Sequence, residues 1–237
     1  MSSISCILIA LSLICGCLRL MQATKSLGEM RLTAAQLQYL KGSASYRNAL
    51  TWSRYYWPNS TLVYSVARGM AFADYLLVMG AMADISAKTC VKFRRTHNPG
   101  EPQVSLQSSD AGCWSHVGYL GERQTLNLGK GCMQRGVIQH ELLHSLALLH
   151  MQSDPRRDQY VRINLANIRE TEQYNFQIYQ STDFQLGYDY ASLMHYGAYA
   201  FSKNGKATIV PLQRGVKIGQ RVGLSPKDVL KLKAMYC

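Results

Sequence analysis

The sequence predicts an α+β domain, because short strand-like segments mostly precede the helical ones. Three stretches carry that prediction. TLVYSV at 61–66 is β-branched and apolar, AFADYLLVMGAMADISAKT repeats apolar residues at helical spacing from Phe72 to Ile85, and GVIQHELLHSLALL is apolar and helical.

Taken in order, the chain opens with an apolar run from Ile4 to Leu18 followed by small residues. That run is shorter than the roughly 20 residues a membrane helix needs, so residues 1–23 read as a secretory signal peptide, cut after Cys17 or Ala23. The stretch LGEMRLTAAQLQYLKGSASYRNAL is polar and helix-prone, cannot make a core alone, and reads as a pro-segment over 24–47. From 48 to 237 the pattern is domain-like. CVKFR and QVSLQ read as short strands, CWSHVGYL and QTLNLG as a strand pair, and GKGC as a turn. Past the histidine-rich helix, NLANIRETEQYNFQIY reads as another helix. SPKDVLKLKAMY closes the chain as a helix capped by Ser225, with Pro226 at its first position.

The chain has 237 residues, 47% of them hydrophobic, which suffices for one packed domain. Removing the leader takes away Cys6, Cys15 and Cys17 and leaves Cys90, Cys113, Cys132 and Cys237, enough for two disulfides in a secreted chain with three possible pairings. Closing the inner pair would stabilise by roughly 3 kcal/mol in the chain-entropy model. Asn59-Ser60-Thr61 is a glycosylation sequon in a turn-like context. The net charge of +12 comes from 26 basic and 14 acidic residues with no run of five like charges. It reads as a solvated basic surface or a cleft favouring acidic substrates or anionic glycans, with no nucleic-acid partner and no stable membrane insertion.

HELLHSLALLH at 140–150 holds three of the six histidines. His140 and His144, four apart on a helix, lie about 40° apart around the axis and can share one ion; Glu141, about 100° from His140, can reach a water on the metal. His150 cannot join by continuing the helix, since six more residues would carry it roughly 9 Å along the axis. The chain must therefore turn back near Ala147. Glycine is favoured at such a left-handed position; alanine adopts it at a cost of roughly 1–2 kcal/mol. An apolar core helix with histidines placed by chance would account for HELLH. It would not account for the third histidine at the required spacing together with SLMHYG at 192–197.

These residues resemble the metzincin peptidases, with their HExxHxxGxxH and later Met-turn, and within them the astacin family. HELLHSLALLH, RRDQYVRIN, SLMHYG, GCWSHVG, TIVPLQ and IGQRVGLSP carry the resemblance, which covers about residues 48–237. It implies two lobes flanking a zinc cleft, with a twisted sheet and the active-site helix in the N-terminal lobe, and disulfides pairing Cys90 with Cys237 and Cys113 with Cys132. It also implies that His140, His144 and His150 bind one Zn2+, that Glu141 is general base and acid, that Met194 is the Met-turn residue, and that Tyr196 ligates zinc at rest and swings to stabilise the oxyanion. Three neutral imidazoles leave zinc a positive charge that lowers the pKa of its water, so Glu141 can take the proton as a peptide carbonyl is attacked. With the ligand count complete, His195 is structural. The backbone of Trp114, Ser115, His116 and Val117 resembles the family's edge strand, where an extended peptide adds antiparallel. Arg214 is a candidate for recognising an acidic residue beyond the scissile bond.

Three departures matter. Ala147 replaces the family's glycine. Met151 replaces the glutamate that receives the mature amino terminus, and Asp154-Pro155-Arg156 exchanges an acid and a base. Gly28-Glu29 aligns with the Gly-Asp that supplies a zinc-blocking carboxylate in many pro-segments, so Glu29 is the expected latency residue, with cleavage near Arg47 to Ala49. The expected function is a secreted, monomeric zinc endopeptidase acting on protein or peptide substrates and made as a precursor. The alternative is a catalytically weak, zinc-bearing extracellular binding protein.

Overall fold

The computed structural model describes residues 24–41, 53–180 and 184–237. The expected leader, with Cys6, Cys15 and Cys17, and the expected cleavage stretch from Arg47 to Ala49 lie outside these residues.

The fold is α+β. Strands β1 (Thr24–Leu27), β2 (Met30–Thr33), β3 (Thr61–Val66), β4 (Lys92–Arg95), β5 (Gln103–Gln107), β6 (Cys113–His116) and β7 (Arg123–Leu128) form one sheet in the order β1-β2-β6-β7-β5-β3-β4. Strands β4, β3, β5 and β7 run parallel, and β6 runs antiparallel to β7. The parallel pair β3 and β4 needs a crossover, supplied by helix α2 (Phe72–Lys88), which carries Asp74 in its first turn and Lys88 in its last, each favourable to the helix dipole. Helix α3 (Arg135–Ser145) packs against α2 and against β6 and β7. Leu62, Val104, Leu106, Leu126 and Leu128 of the sheet, Val78, Ala81 and Ile85 of α2, and Ile138, Leu142 and Leu143 of α3 are fully buried in one core. Each large side chain so buried contributes roughly 1.5–3 kcal/mol.

Beyond α3, the described residues form short 3-10 turns, the small antiparallel sheet of β8 (Val161–Ile163) and β9 (Ile209–Pro211), and the final helix α4 (Pro226–Tyr236). Helix α4 starts as its sequence predicts. Ser225 accepts from the Asp228 N–H, Asp228 accepts from the Ser225 N–H, and Pro226 occupies the first turn. Disulfides join Cys90 to Cys237 and Cys113 to Cys132, the pairing that the resemblance implies; the first ties the end of α4 to the segment following α2.

Two expectations need correction. The segment after Leu27 is helix-prone in sequence, yet residues 24–33 form the β1–β2 hairpin, and among the described residues of the stretch the helix is Ala34–Lys41 (α1). Tertiary pairing overrides propensity here, because β6 offers an open edge to β2. Thr33 and Gln36 then cap α1 reciprocally, each side chain taking the other's backbone N–H at 2.9 and 3.1 Å. The stretch expected as a helix at 164–179 instead forms 3-10 turns at Leu165–Asn167 and Glu170–Phe176. Its backbone is claimed elsewhere: Arg169 N–H donates to the Phe201 carbonyl at 3.2 Å and Lys203 N–H to the Asn167 carbonyl at 2.9 Å. Among the described residues, no helix is long and apolar enough to cross a membrane.

Candidate metal centre

Helix α3 ends at Ser145 and the chain reverses at Ala147, whose φ of 71° is left-handed. The Leu148 N–H bonds back to the Leu143 carbonyl at 3.0 Å, which closes the turn, and His150 emerges in extended conformation. Ala147 is buried and belongs to one apolar cluster with Leu27, Met30, Leu32, Leu40, Tyr55, Val117 and Tyr179. That packing offsets part of the roughly 1–2 kcal/mol of backbone strain.

The turn brings His140, His144, His150 and Glu29 together, with one ligand atom from each lying within 4.8 Å of all the others. His144 Nε2 lies 3.1 Å and His140 Nε2 3.3 Å from His150 Nε2, and Glu29 Oε1 lies 2.8 Å from His150 Nε2 and 3.0 Å from His140 Nε2. Tetrahedral ligands about 2.1 Å from a zinc ion stand roughly 3.4 Å apart, so the spacing suits such an ion. The donor chemistry agrees. His140 Nδ1 bonds to the Leu193 carbonyl at 2.8 Å and His144 Nδ1 to the Leu148 carbonyl at 2.9 Å. A carbonyl only accepts, so both Nδ1 atoms carry the proton and both Nε2 atoms present lone pairs. Lone pairs aimed at one point, beside a carboxylate, repel unless a cation lies among them, and these four residues fit zinc.

Burial and neighbouring charge shift several of the ionisable groups at the cluster. Burial opposes ionisation of Glu29, but the His150 and His140 imidazoles outweigh it together and hold its carboxyl well below the usual range. Burial, then the neighbouring imidazoles, pushes His144 well down; burial pushes His150 down against the pull of Glu29. Burial, reinforced by the Glu29 charge, raises Glu141 well above the carboxylate range, and the same two causes raise the Tyr196 phenol.

Around the cluster, Met194 is buried and its carbonyl accepts the Met151 N–H at 3.0 Å. The Tyr196 ring centroid lies 4.4 Å from that of His150, and its buried hydroxyl has no hydrogen-bond partner among the described residues. A Cβ at Gly28 would come 2.8 Å from that hydroxyl, and Gly28 has a φ of +57°, so glycine is required there on both counts. Glu141 Oε2 is likewise buried and unpaired among the described residues.

Strand β2 lies parallel to β6, pairing Met30 with Ser115 and Arg31 with His116. The Ser115 N–H donates to the Glu29 carbonyl at 2.9 Å, the Val117 N–H donates to the Arg31 carbonyl at 3.2 Å, and the Arg31 guanidinium stacks over Trp114 at 4.5 Å. Arg214 sits exposed in the turn after β9, and Asn59 is exposed in a turn. Met151 is buried with its sulfur 3.0 Å from the Lys231 ammonium, and Asp154 pairs with Arg156 at 3.5 Å, the exchanged pair still in contact.

Sequence reasoning missed Gln152, Arg221 and Asp228. Gln152 Oε1 accepts the Tyr196 N–H at 3.2 Å, Arg221 Nη1 donates to the Leu193 and His195 carbonyls at 3.1 Å each, and Asp228 accepts from the Leu193 N–H at 2.8 Å. All three hold backbone groups, for which no local pattern exists. Only the Ser225-to-Asp228 capping spacing hinted at one of them.

A helix bearing two imidazoles and an adjacent carboxylate, with a third imidazole returned by a left-handed turn, defines a zinc metallopeptidase type of centre. The sequence profile of the astacin peptidase family matches residues 50–237. The chain is 37% identical over 193 residues to zinc metalloproteinase nas-13 of Caenorhabditis elegans, an alignment covering 80% of this chain and 43% of that longer protein. It is 40% identical over 204 residues to seminal metalloprotease 1 of Drosophila melanogaster, covering 80% and 81%. Its fold is similar to that of high choriolytic enzyme 1, a hatching enzyme zinc-protease from the medaka fish Oryzias latipes, with a TM-score of 0.74 and 36% identity over 78% of this chain and 96% of that one. The chain belongs to the astacin family.

One consequence of the site's burial is measurable. His195 Nδ1 donates to the Tyr196 carbonyl and Nε2 accepts from the Tyr188 hydroxyl, both at 2.7 Å, and burial lowers the ring from 6.5 to about 4. The unfolded chain takes up this proton below 6.5 while the folded chain refuses it until about 4, so the stabilisation is full above 6.5 and is lost as pH falls through 4. It amounts to about 3 kcal/mol. Urea unfolding of chelator-treated protein at pH 7 and pH 4 should show the parent losing more stability than His195→Gln; equal losses would contradict this.

Proposed function

We propose that the chain is a secreted, monomeric zinc-dependent endopeptidase, made as a precursor, that cleaves protein or peptide substrates. The convergence of His140, His144 and His150 beside Glu141 is the observation that carries the reading. The three imidazoles would hold the ion, which when bound supplies Lewis acidity that acidifies water and polarises a peptide carbonyl. Glu141 takes the proton from the attacking water and passes it to the leaving amine, a role for which its unpaired, buried Oε2 is free. Tyr196 donates from its phenol to the carbonyl oxygen as charge develops, a contribution on the order of 3 kcal/mol. An extended substrate adds antiparallel to the backbone of Trp114 to Val117, and Arg214 remains a candidate subsite on sequence grounds. The leader at 1–23, the two disulfides and the sequon at Asn59 support secretion.

Latency follows from the hairpin. Strand β2 occupies the β6 edge in the parallel sense, opposite to the direction proposed for substrate, and so fills the cleft backwards. Its turn delivers the Glu29 carboxylate to the imidazoles and stacks Gly28 on the Tyr196 hydroxyl. Removing the segment exposes the edge strand and withdraws the negative charge of Glu29, which adds to burial in raising the Glu141 carboxyl.

Two measurements test this. On an unfolded protein substrate, chain trimmed near 47–49 should turn over, chelator should abolish turnover, and Glu141→Gln should lower kcat by about a thousandfold with zinc retained. Equal activity in all three would reject the assignment, and zinc bound without any turnover would favour the non-catalytic binding protein. Separately, full-length Glu29→Ala should be at least tenfold more active than the full-length parent. A parent precursor as active as the trimmed form would end the latency account.

A further inference from the structure

Arg221 is threaded between α3 and the turn that carries Met194. A Cβ at Gly136 would stand 1.8 Å from the Arg221 carbonyl oxygen, and one at Gly219 would stand 2.3 Å from Gly197 Cα, so the segment is gripped on both sides by residues without side chains. From this position Arg221 Nη1 donates to the carbonyls of Leu193 and His195, on either side of Met194, and to that of Gln220 at 2.8 Å. The Leu193 carbonyl is also the acceptor that fixes the Nδ1 proton of His140. The opposite face of the same turn is held by Asp228, which takes the Leu193 N–H at 2.8 Å and the Ser192 hydroxyl at 2.6 Å. One buried acid thus holds the turn's donors and one cation holds its acceptors.

We propose that Arg221 is a positioning residue for the metal centre, fixing the orientation and tautomer of His140 through the Leu193 carbonyl. This rests on the zinc-peptidase reading. An imidazole whose Nδ1 proton has a fixed acceptor presents its Nε2 lone pair in one direction, and a carbonyl free to tilt lets the ring swing away from the ion. Loss of partners behind a metal-binding histidine typically weakens metal binding by about 10–100-fold. A lysine at this position keeps one charged donor but lacks the planar fork, so it restores the hold only in part.

The test uses the full chain and reads metal binding rather than turnover. Zinc affinity is measured by chelator competition, and the visible bands of the cobalt(II)-substituted protein report ligand geometry. Arg221→Met should bind zinc about tenfold more weakly than the parent and shift or broaden the cobalt bands, with Arg221→Lys between the two. Ile85→Ala, which truncates a fully buried side chain in α2, is the control: it should lower Tm and leave both readouts unchanged. If Arg221→Met does not fold, Arg221→Lys decides on the same readouts. Parent-like affinity and bands in the arginine variants would overturn the proposal, as would an equal loss of zinc by Ile85→Ala. A parent that binds no zinc would instead refute the reading on which the proposal stands.

Discussion

Three imidazoles and a carboxylate aim their lone pairs at one point, and the cost of that arrangement shapes the structure around it. Acceptors gathered without a donor repel one another, and two of the three rings are held from behind, while His150 Nδ1 is buried without a hydrogen-bond partner among the described residues. His140 is held by the Leu193 carbonyl and His144 by the Leu148 carbonyl, while Met194 pins the residue after His150 through the Met151 N–H. These carbonyls are in turn fixed by the Ala147 turn and by the clasp of Arg221 and Asp228 around residues 192–195. The last of these supports belongs to α4, whose end is tied by the Cys90–Cys237 disulfide to the far side of α2. Distant parts of the chain therefore meet at the ligand set.

Ala147 shows how such a constraint is met with a less suitable residue. The geometry demands a left-handed residue between His144 and His150, and a methyl group there is strained. In this chain the methyl is not idle, because it packs into the cluster that seats the N-terminal hairpin. The same turn thus serves the metal centre on one side and the β1–β2 hairpin on the other.

How much of this the sequence revealed depends on whether the information was local. Helical periodicity marked α2, the β-branched run marked β3, and the cap of Ser225 with Pro226 marked α4, because each of these elements is specified by its own residues. The return of the chain at Ala147 was also legible, since a straight helix cannot bring His150 to His140. The hairpin at 24–33 was not, because β2 is a strand only in the presence of the β6 edge, and the reciprocal cap of Thr33 and Gln36 was the one local sign of where its helix begins. Residues 164–179 carried helical spacing, but their backbone groups are taken by 201–203, a contact invisible in a linear string. Gln152, Arg221 and Asp228 escaped for the same reason: side chains that grip backbone atoms far along the chain leave no spacing to read.

The central claim is that His140, His144, His150 and Glu29 surround one zinc ion in the full chain. Zinc K-edge X-ray absorption on the stoichiometric zinc complex tests it most directly. The account predicts a first shell of three imidazole nitrogens and one carboxylate oxygen at about 2.0–2.1 Å, with the carboxylate contribution lost in Glu29→Ala while the three imidazoles remain. A shell with fewer than three imidazoles, or one unchanged by the Glu29 substitution, would contradict it.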